Sequence, residues 1–407
     1  MGFVRMYLGI LADGMERMIT TMKLPWKLPL VVGGRAKPAS ADTLAAYRRD
    51  PARLADEVRP YAVAGCGIVR APTAGANRIL LEKDGLGGEV QAINTELAAA
   101  VKQAAGGSLT AGCLGPTGLQ AEPHGDTPVT ALIAVYAEQA KALRDAGCEV
   151  LLCEGMTSLN EARAALLAAR ETRLPVIVIL RVDRQGETAT GTRLLPAVIT
   201  LQALGAAAVG IEADAPAEEA AEWIEEALDY AAVPLAAFSS AAPGETQEAY
   251  LERMHTLLDA GTAIVGGTEV SAAALEALCR LADEHAIVAA PEIDTDAAAG
   301  EHEAFFLGED LSCSEPLVCD SCLEDALIEA EEEYNAARVE LAVPEDIPRL
   351  LEASQVCRLP IVITTDRALL LDEALLRYPG RLLVDSLGGI ERTLIDDIAA
   401  QYGAVVF

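Results

Sequence analysis

Thr127-Pro-Val-Thr-Ala-Leu-Ile-Ala-Val-Tyr-Ala-Glu-Gln-Ala-Lys-Ala-Leu-Arg-Asp-Ala-Gly147 runs directly into Cys148-Glu-Val-Leu-Leu-Cys-Glu-Gly155. In the first half Val129, Leu132, Tyr136, Ala140 and Leu143 recur at helical spacing, and Gly147 stops the run. The second half is a short apolar run of strand length ending on glycine. This helix-then-strand phrase repeats in both directions along the chain. Strands are predicted at 28–34, 67–72, 109–116, 150–155, 175–183, 208–214, 234–240 and 263–269, with Ala/Leu/Glu-rich helical stretches between them. Eight such units over about 250 residues have the size of a closed (β/α)8 TIM barrel.

The composition agrees. The 407 residues are 52% hydrophobic but only 4% aromatic, enough for a large aliphatic core. A net charge of −31 argues against nucleic-acid and anionic-membrane partners, which need a basic footprint. Nine cysteines, an odd number without a secretory leader, are expected to be reduced thiols of a cytoplasmic protein. No apolar run is long enough to span a membrane.

Residues 1–27 read as an N-terminal extension, 28–290 as the barrel and 291–335 as a linker with an acidic helix. Within the last of these, 293–315 is the biased linker and 324–333 the solvated helix face. The βα rhythm then resumes over 336–407, with strands expected at 337–343, 360–364, 381–386 and 403–407. Four strands cannot close a barrel, so this part is expected to be a small open α/β layer, a half-barrel, or an edge completed by a partner.

Several phrases carry a family resemblance. Arg70-Ala-Pro-Thr-Ala-Gly-Ala-Asn77 resembles T-N-T-F-G-A-N, Ala111-Gly-Cys-Leu-Gly-Pro-Thr-Gly118 resembles G-D-x-G-P-T-G, and Leu151-Leu-Cys-Glu-Gly155 resembles I-x-E-T. These are signatures of the homocysteine S-methyltransferase family. Ala374-Leu-Leu-Arg-Tyr-Pro-Gly-Arg381, Val384-Asp-Ser386 and Gln401-Tyr-Gly403 are similar to a piece of the methyltetrahydrofolate-binding (pterin-binding) barrel that follows the homocysteine barrel in cobalamin-dependent methionine synthase.

The resemblance implies methyl transfer to the homocysteine thiol, giving methionine, through a zinc ion held by three cysteines. Zinc lowers the thiol pKa, because the thiolate and not the thiol is the nucleophile. The family writes its ligand segments as G-[IL]-N-C and G-G-C-C-G. Here they read Gly210-Ile-Glu-Ala-Asp214 and Val265-Gly-Gly-Thr-Glu269, so the three thiolate positions are Ala213, Thr268 and Glu269. Alanine has no donor atom and threonine is a poor ligand, so zinc-thiolate catalysis is expected to be lost.

Other positions depart as well. Strand 1 carries Gly33-Gly34-Arg35 where the family has D-G; Asp13-Gly14 looks like that motif but lies far from Thr73. Phe238-Ser-Ser-Ala241 replaces P-N-A-G. In the tail, Thr364 stands at a strand aspartate position and Asp385-Ser386 at an N-S pair.

Carried over by resemblance, the substrate-binding candidates are Glu154, which matches a residue contacting the homocysteine amino group, with Thr73, Asn77, Glu212 and Glu269. No catalytic residue and no metal ligand is assigned. If the eight strands close, Arg70, Cys113, Glu154, Arg181, Asp183, Glu212, Asp214 and Glu269 fall near one rim. There Glu154, Glu212, Asp214 and Glu269 offer oxygen ligands for a hard divalent cation such as Mg²⁺ or Mn²⁺, or else pair with Arg70 and Arg181 or face solvent. Cys113 reads as a relocated thiol or a buried structural cysteine; Cys153, next to Glu154, should face the other side of the sheet. The trio Cys313, Cys319 and Cys322 lacks a fourth ligand at zinc spacing unless His302 or another chain supplies it. Asp283-Glu-His285 is similar to the start of a corrinoid-binding motif whose glycine is replaced by Val288, a coincidence at this position. None of the six lysines lies in strands 2–8, which disfavours a Schiff-base aldolase, and no phosphate-binding glycine loop is present.

The sequence thus reads as a homocysteine S-methyltransferase-like protein with its zinc chemistry removed. The alternative is a degenerate homologue that binds a small molecule or docks on a partner. Expected partners are an amino-acid thiol and, by resemblance, a corrinoid protein or another methionine-synthase-like subunit.

Overall fold

The computed structural model describes residues 28–35, 40–242, 244–286, 296–308 and 311–407. The predicted extension over 1–27 lies outside them.

Eight parallel strands close into a barrel: β1 (Leu30–Gly33), β2 (Ile68–Ala71), β3 (Leu109–Leu114), β4 (Val150–Met156), β5 (Val176–Val182), β6 (Ala208–Ala213), β7 (Leu235–Phe238) and β8 (Ile264–Gly266). All eight predicted strands are present. Closure is made by β1 and β8, with Leu30 opposite Ile264 and Val32 opposite Gly266. Backbones approach closely there and at β6. A Cβ on Gly210 would run into the Ala236 carbonyl, which explains glycine at that position.

Alternation along each strand divides the apolar side chains between two cores. Val32, Ile68, Ala111, Cys113, Val150, Leu152, Ile177, Ile179, Ala236 and Phe238 fill the barrel interior. Their neighbours Val31, Val69, Leu151, Cys153, Val178 and Leu180 face the surrounding helices, so Cys153 does point away from the interior. Each fully buried aliphatic side chain contributes about 1.5–3 kcal/mol of transfer free energy. The helix Val129–Asp145 buries Val129, Leu132, Tyr136, Ala140 and Leu143, the face read from its periodicity, and Gly147 follows it at φ 87°.

The region after the barrel differs from expectation in two respects. The stretch read as linker contains an antiparallel hairpin, β9 (Ala297–Ala299) with β10 (Ala304–Phe306). The open parallel sheet has five strands in chain order, not four: β11 (Leu317–Val318), β12 (Ala337–Glu340), β13 (Ile361–Thr364), β14 (Leu383–Val384) and β15 (Val405–Val406). An alanine run and a two-residue strand carry little β signal, and pairing to neighbours supplies what local propensity does not. The acidic run forms the helix Leu323–Ala330.

One of this sheet's helices, Ala368–Arg377, meets the barrel's own helix Leu159–Arg170, which is buried from Leu159 to Ala169. Arg163 is fully buried there. It donates to the carbonyls of Leu375 (2.9 Å) and Leu376 (3.2 Å), in the last turn of the helix Ala368–Arg377. A cation at a helix C-terminus is favourable, and it meets carbonyls that lack intrahelical partners. Nearby, Arg377 forms a two-point pair with Glu122 at 3.0 and 2.7 Å. Among the described residues no helix is long and apolar enough to cross a membrane.

Candidate functional site

Continuing the inward alternation to the C-terminal ends of the strands brings Arg70 (after Ile68), Cys113 (after Ala111), Glu154 (after Leu152) and Phe238 (after Ala236) into one buried layer. Arg70 Nε lies 2.9 Å from Glu154 Oε2, with Arg70 wholly buried and Glu154 6% exposed. Arg70 Nη1 donates to the carbonyls of Gly34 (3.2 Å) and Gly267 (3.0 Å), and its guanidinium stacks 4.7 Å from the Phe238 ring centroid. The arginine therefore spans strands 1, 2, 4, 7 and 8 and closes the top of the interior. Burial pushes the Glu154 carboxyl up, and Arg70 opposes that shift. Burial, then the neighbouring Glu154, pushes the Cys113 thiol well above its ordinary range, so Cys113 is a buried thiol and not a ready nucleophile.

The outer rim above this plug is polar. Register sets Glu212 beside Phe238 and Phe238 beside Gly266, so the ends of β6, β7 and β8 are level. There Ser240 Oγ lies 3.3 Å from Glu212 Oε1 and 2.7 Å from Thr268 Oγ1, and Arg181 Nη1 is 3.9 Å from Glu212 Oε2. Arg253 braces this corner, pairing with Glu245 and donating to the Ser239 hydroxyl and the Ser240 carbonyl. Glu269, 72% exposed, reaches out to Arg35 at 3.4 Å and holds a left-handed φ of 62°.

The oxygen-ligand arrangement considered for Glu154, Glu212, Asp214 and Glu269 is not what forms. Three of these acids face Arg70, Arg181 and Arg35, and Asp214 is exposed. Asp183 accepts from the Gln185 and Glu187 amides and shapes its own loop. Among the described residues, Cys313, Cys319 and Cys322 gather no metal-holding group, and Cys319 Sγ donates to the Asp346 carbonyl at 3.1 Å. All nine cysteines are free thiols.

Thr73 and Asn77 are fully buried in the turn after β2. Thr73 Oγ1 donates to the Cys113 carbonyl and accepts from the Cys113 amide, both at 2.9 Å, which locks the turn to β3. Asn77 Oδ1 caps the helix Arg78–Glu82 through the Leu80 amide at 3.0 Å. Beside the plug, a cleft of about 410 Å³ is lined by Arg35, Tyr47, Glu57, Tyr61 and Arg70 among others. Burial, then the Glu57 hydrogen bond, pushes the Tyr47 hydroxyl up to about 12.

The pairing of rim acids with Arg70 and Arg181 was one of the two arrangements read from the sequence, and it is the one that forms; sequence reasoning missed the complete burial of Arg70 and the Ser240–Thr268 hydroxyl pair. The available signal was parity: Arg70 shares its face of β2 with Ile68, hence with the barrel interior.

A family model described as homocysteine S-methyltransferase matches residues 10–281, about two thirds of the chain. The chain belongs to the homocysteine S-methyltransferase family. Because the match starts at residue 10, it takes in Asp13-Gly14 and much of the stretch read as an extension. Among solved structures, the homocysteine methyltransferase MmuM from Escherichia coli in its oxidized form is 20% identical with a TM-score of 0.53, over 62% of this chain and 95% of that one. Its metallated form is 21% identical with a TM-score of 0.52, over 61% and 94%. At this identity the likeness is one of fold, and it covers a stretch the length of the barrel. No curated protein sequence matches the chain.

Proposed function

We propose that this homocysteine S-methyltransferase-family barrel does not carry out zinc-thiolate methyl transfer and instead binds a small amino-acid-like molecule at its rim without zinc. The observation that carries this reading is the donor set at the family's ligand positions. Ala213 has no donor, the Thr268 hydroxyl is held by Ser240, and Glu269 turns outward to Arg35. Structural and catalytic zinc sites need at least three good donors converging on a point, and these residues do not fit one.

Two further features support the reading. Glu154, the candidate for the substrate amine, already has a cationic partner in Arg70 at 2.9 Å. Farther out, Arg181 and Glu212 present both signs of charge within 3.9 Å, beside the Ser240 and Thr268 hydroxyls. A zwitterion carries the complementary pair, its carboxylate toward Arg181 and its ammonium toward Glu212. In this assignment Glu212 contacts the ligand, Glu269 stands at the edge of the site, and Thr73 and Asn77 hold the turn that positions β2 and β3.

Calorimetric titration with homocysteine and with methionine, in wild type and Glu212→Gln, tests the rim assignment. Weak binding of both that is lost in Glu212→Gln supports it. Homocysteine binding that depends on added zinc and is insensitive to Glu212→Gln refutes it.

A further inference from the structure

The chain has only four histidines, and two of them meet one aspartate on the barrel surface. His255 and Asp259 lie one turn apart near the end of the helix Gln247–Asp259, and His285 follows the next helix, Ala272–Glu284. His255 Nδ1 is 2.8 Å from Asp259 Oδ2, and His285 Nε2 is 3.0 Å from Asp259 Oδ1. The two rings stand edge to face with centroids 4.9 Å apart. One donor atom from each residue lies within 4.8 Å of the other two.

We propose that His255, Asp259 and His285 form a binding site for a borderline divalent transition metal such as Zn²⁺, Co²⁺ or Ni²⁺. Two imidazoles and one carboxylate are the donor set such ions prefer, whereas Mg²⁺ and Ca²⁺ favour oxygen-only shells. His285 Nδ1 donates to the Leu281 carbonyl at 3.1 Å, and in the metal-free protein Nε2 donates to Asp259; a bound metal takes the place of that Nε2 proton and leaves the Nδ1 anchor intact. Backbone anchoring of the distal nitrogen is the usual outer support of a metal-bound histidine. Asp259 is also the last residue of its helix, where a negative charge opposes the helix dipole and a bound cation offsets the conflict.

The placement gives the site its role. Asp259 precedes the turn into β8 and His285 ends the last barrel helix, so both lie at the N-terminal face, opposite the rim. A metal here clips the last two barrel helices together where the chain leaves the barrel for its C-terminal sheet. His255 and Asp259 are more than half exposed, which leaves remaining coordination positions to water. The site is independent of the rim reading, and neither stands or falls with the other.

The test is a Co²⁺ titration of the full-length, chelator-treated protein, followed by visible absorbance, with Zn²⁺ competition and thermal melts. The expected result is one Co²⁺ per chain, no thiolate charge-transfer band, displacement by Zn²⁺, and a Tm raised by Zn²⁺ but not by Mg²⁺. His285→Gln should lose both the Co²⁺ spectrum and the Zn²⁺-induced Tm shift. His255→Gln, on the exposed face of a helix, does the same without risk to folding. Absence of bound Co²⁺, a thiolate band, or binding unchanged in His255→Gln would each overturn the proposal.

Discussion

Arg70 and Glu154 face each other across the interior of the barrel at 2.9 Å, both cut off from solvent, at the level where a barrel enzyme would admit its substrate. Removing one member of a buried ion pair strands the other charge and costs about 3–5 kcal/mol. Glu154→Ala should therefore lower unfolding free energy by that order in denaturant titration. The double variant Arg70→Met/Glu154→Leu should recover most of it, since apolar side chains of similar volume replace such pairs at little cost. If Glu154→Ala alone is neutral, the pair does not hold the barrel top.

Arg163 has the corresponding role between the barrel and the C-terminal sheet. Arg163→Ala removes the cation that satisfies the Leu375 and Leu376 carbonyls and leaves those acceptors buried. Burial pulls the guanidinium down to about 10, which still leaves it charged at neutral pH. The expected loss is roughly 3–5 kcal/mol, as for other buried charge networks. Limited proteolysis should cleave the variant first between the barrel and the sheet. Uniform resistance would mean that packing alone holds the two together.

A contact between the barrel and the β9–β10 hairpin is pH-dependent. His124 Nε2 meets the buried Glu301 at 2.8 Å, and that hydrogen bond raises the His124 pKa. A raised histidine contributes stability that is full below its unfolded value, near pH 6.5, and is lost as pH rises through the folded value. Wild type should thus lose Tm relative to His124→Gln as pH increases from about 6 to 8. Parallel curves for the two proteins would remove His124 from the docking account.

Much of this architecture was legible in the sequence because βα repetition is a long-range signal: each of the eight strands is an apolar run separated from the next by a helical period. The direction of Cys153 followed from strand parity alone. The same parity placed Arg70 inside, but an arginine in a strand reads as a rim residue until the residues it meets on β1, β4, β7 and β8 are known, and those come from distant segments. Thr73 and Asn77 show the converse. Their motif resemblance pointed to a substrate; in the fold Thr73 Oγ1 and Asn77 Oδ1 are engaged with backbone at Cys113 and Leu80, while Asn77 Nδ2 is buried without a hydrogen-bond partner. The hairpin at Ala297–Ala299 escaped notice because its strand character comes from pairing with Ala304–Phe306.

If the scaffold was kept while only the ligands changed, restoring them should restore a site. Ala213→Cys/Thr268→Cys/Glu269→Cys is expected to bind Co²⁺ with a thiolate charge-transfer band that wild type lacks. Failure of the triple variant to show that band, in a folded protein, would mean that the strand ends have also moved.

The central claim, that this barrel presents no zinc-bound homocysteine thiolate, is tested most directly by adding homocysteine to Co²⁺-treated His255→Gln protein, which lacks the surface site, while methionine formation from methyltetrahydrofolate is followed. The account predicts no homocysteine-dependent thiolate-to-Co²⁺ band and no methionine. A new thiolate band on adding homocysteine, together with methionine formation, would contradict it.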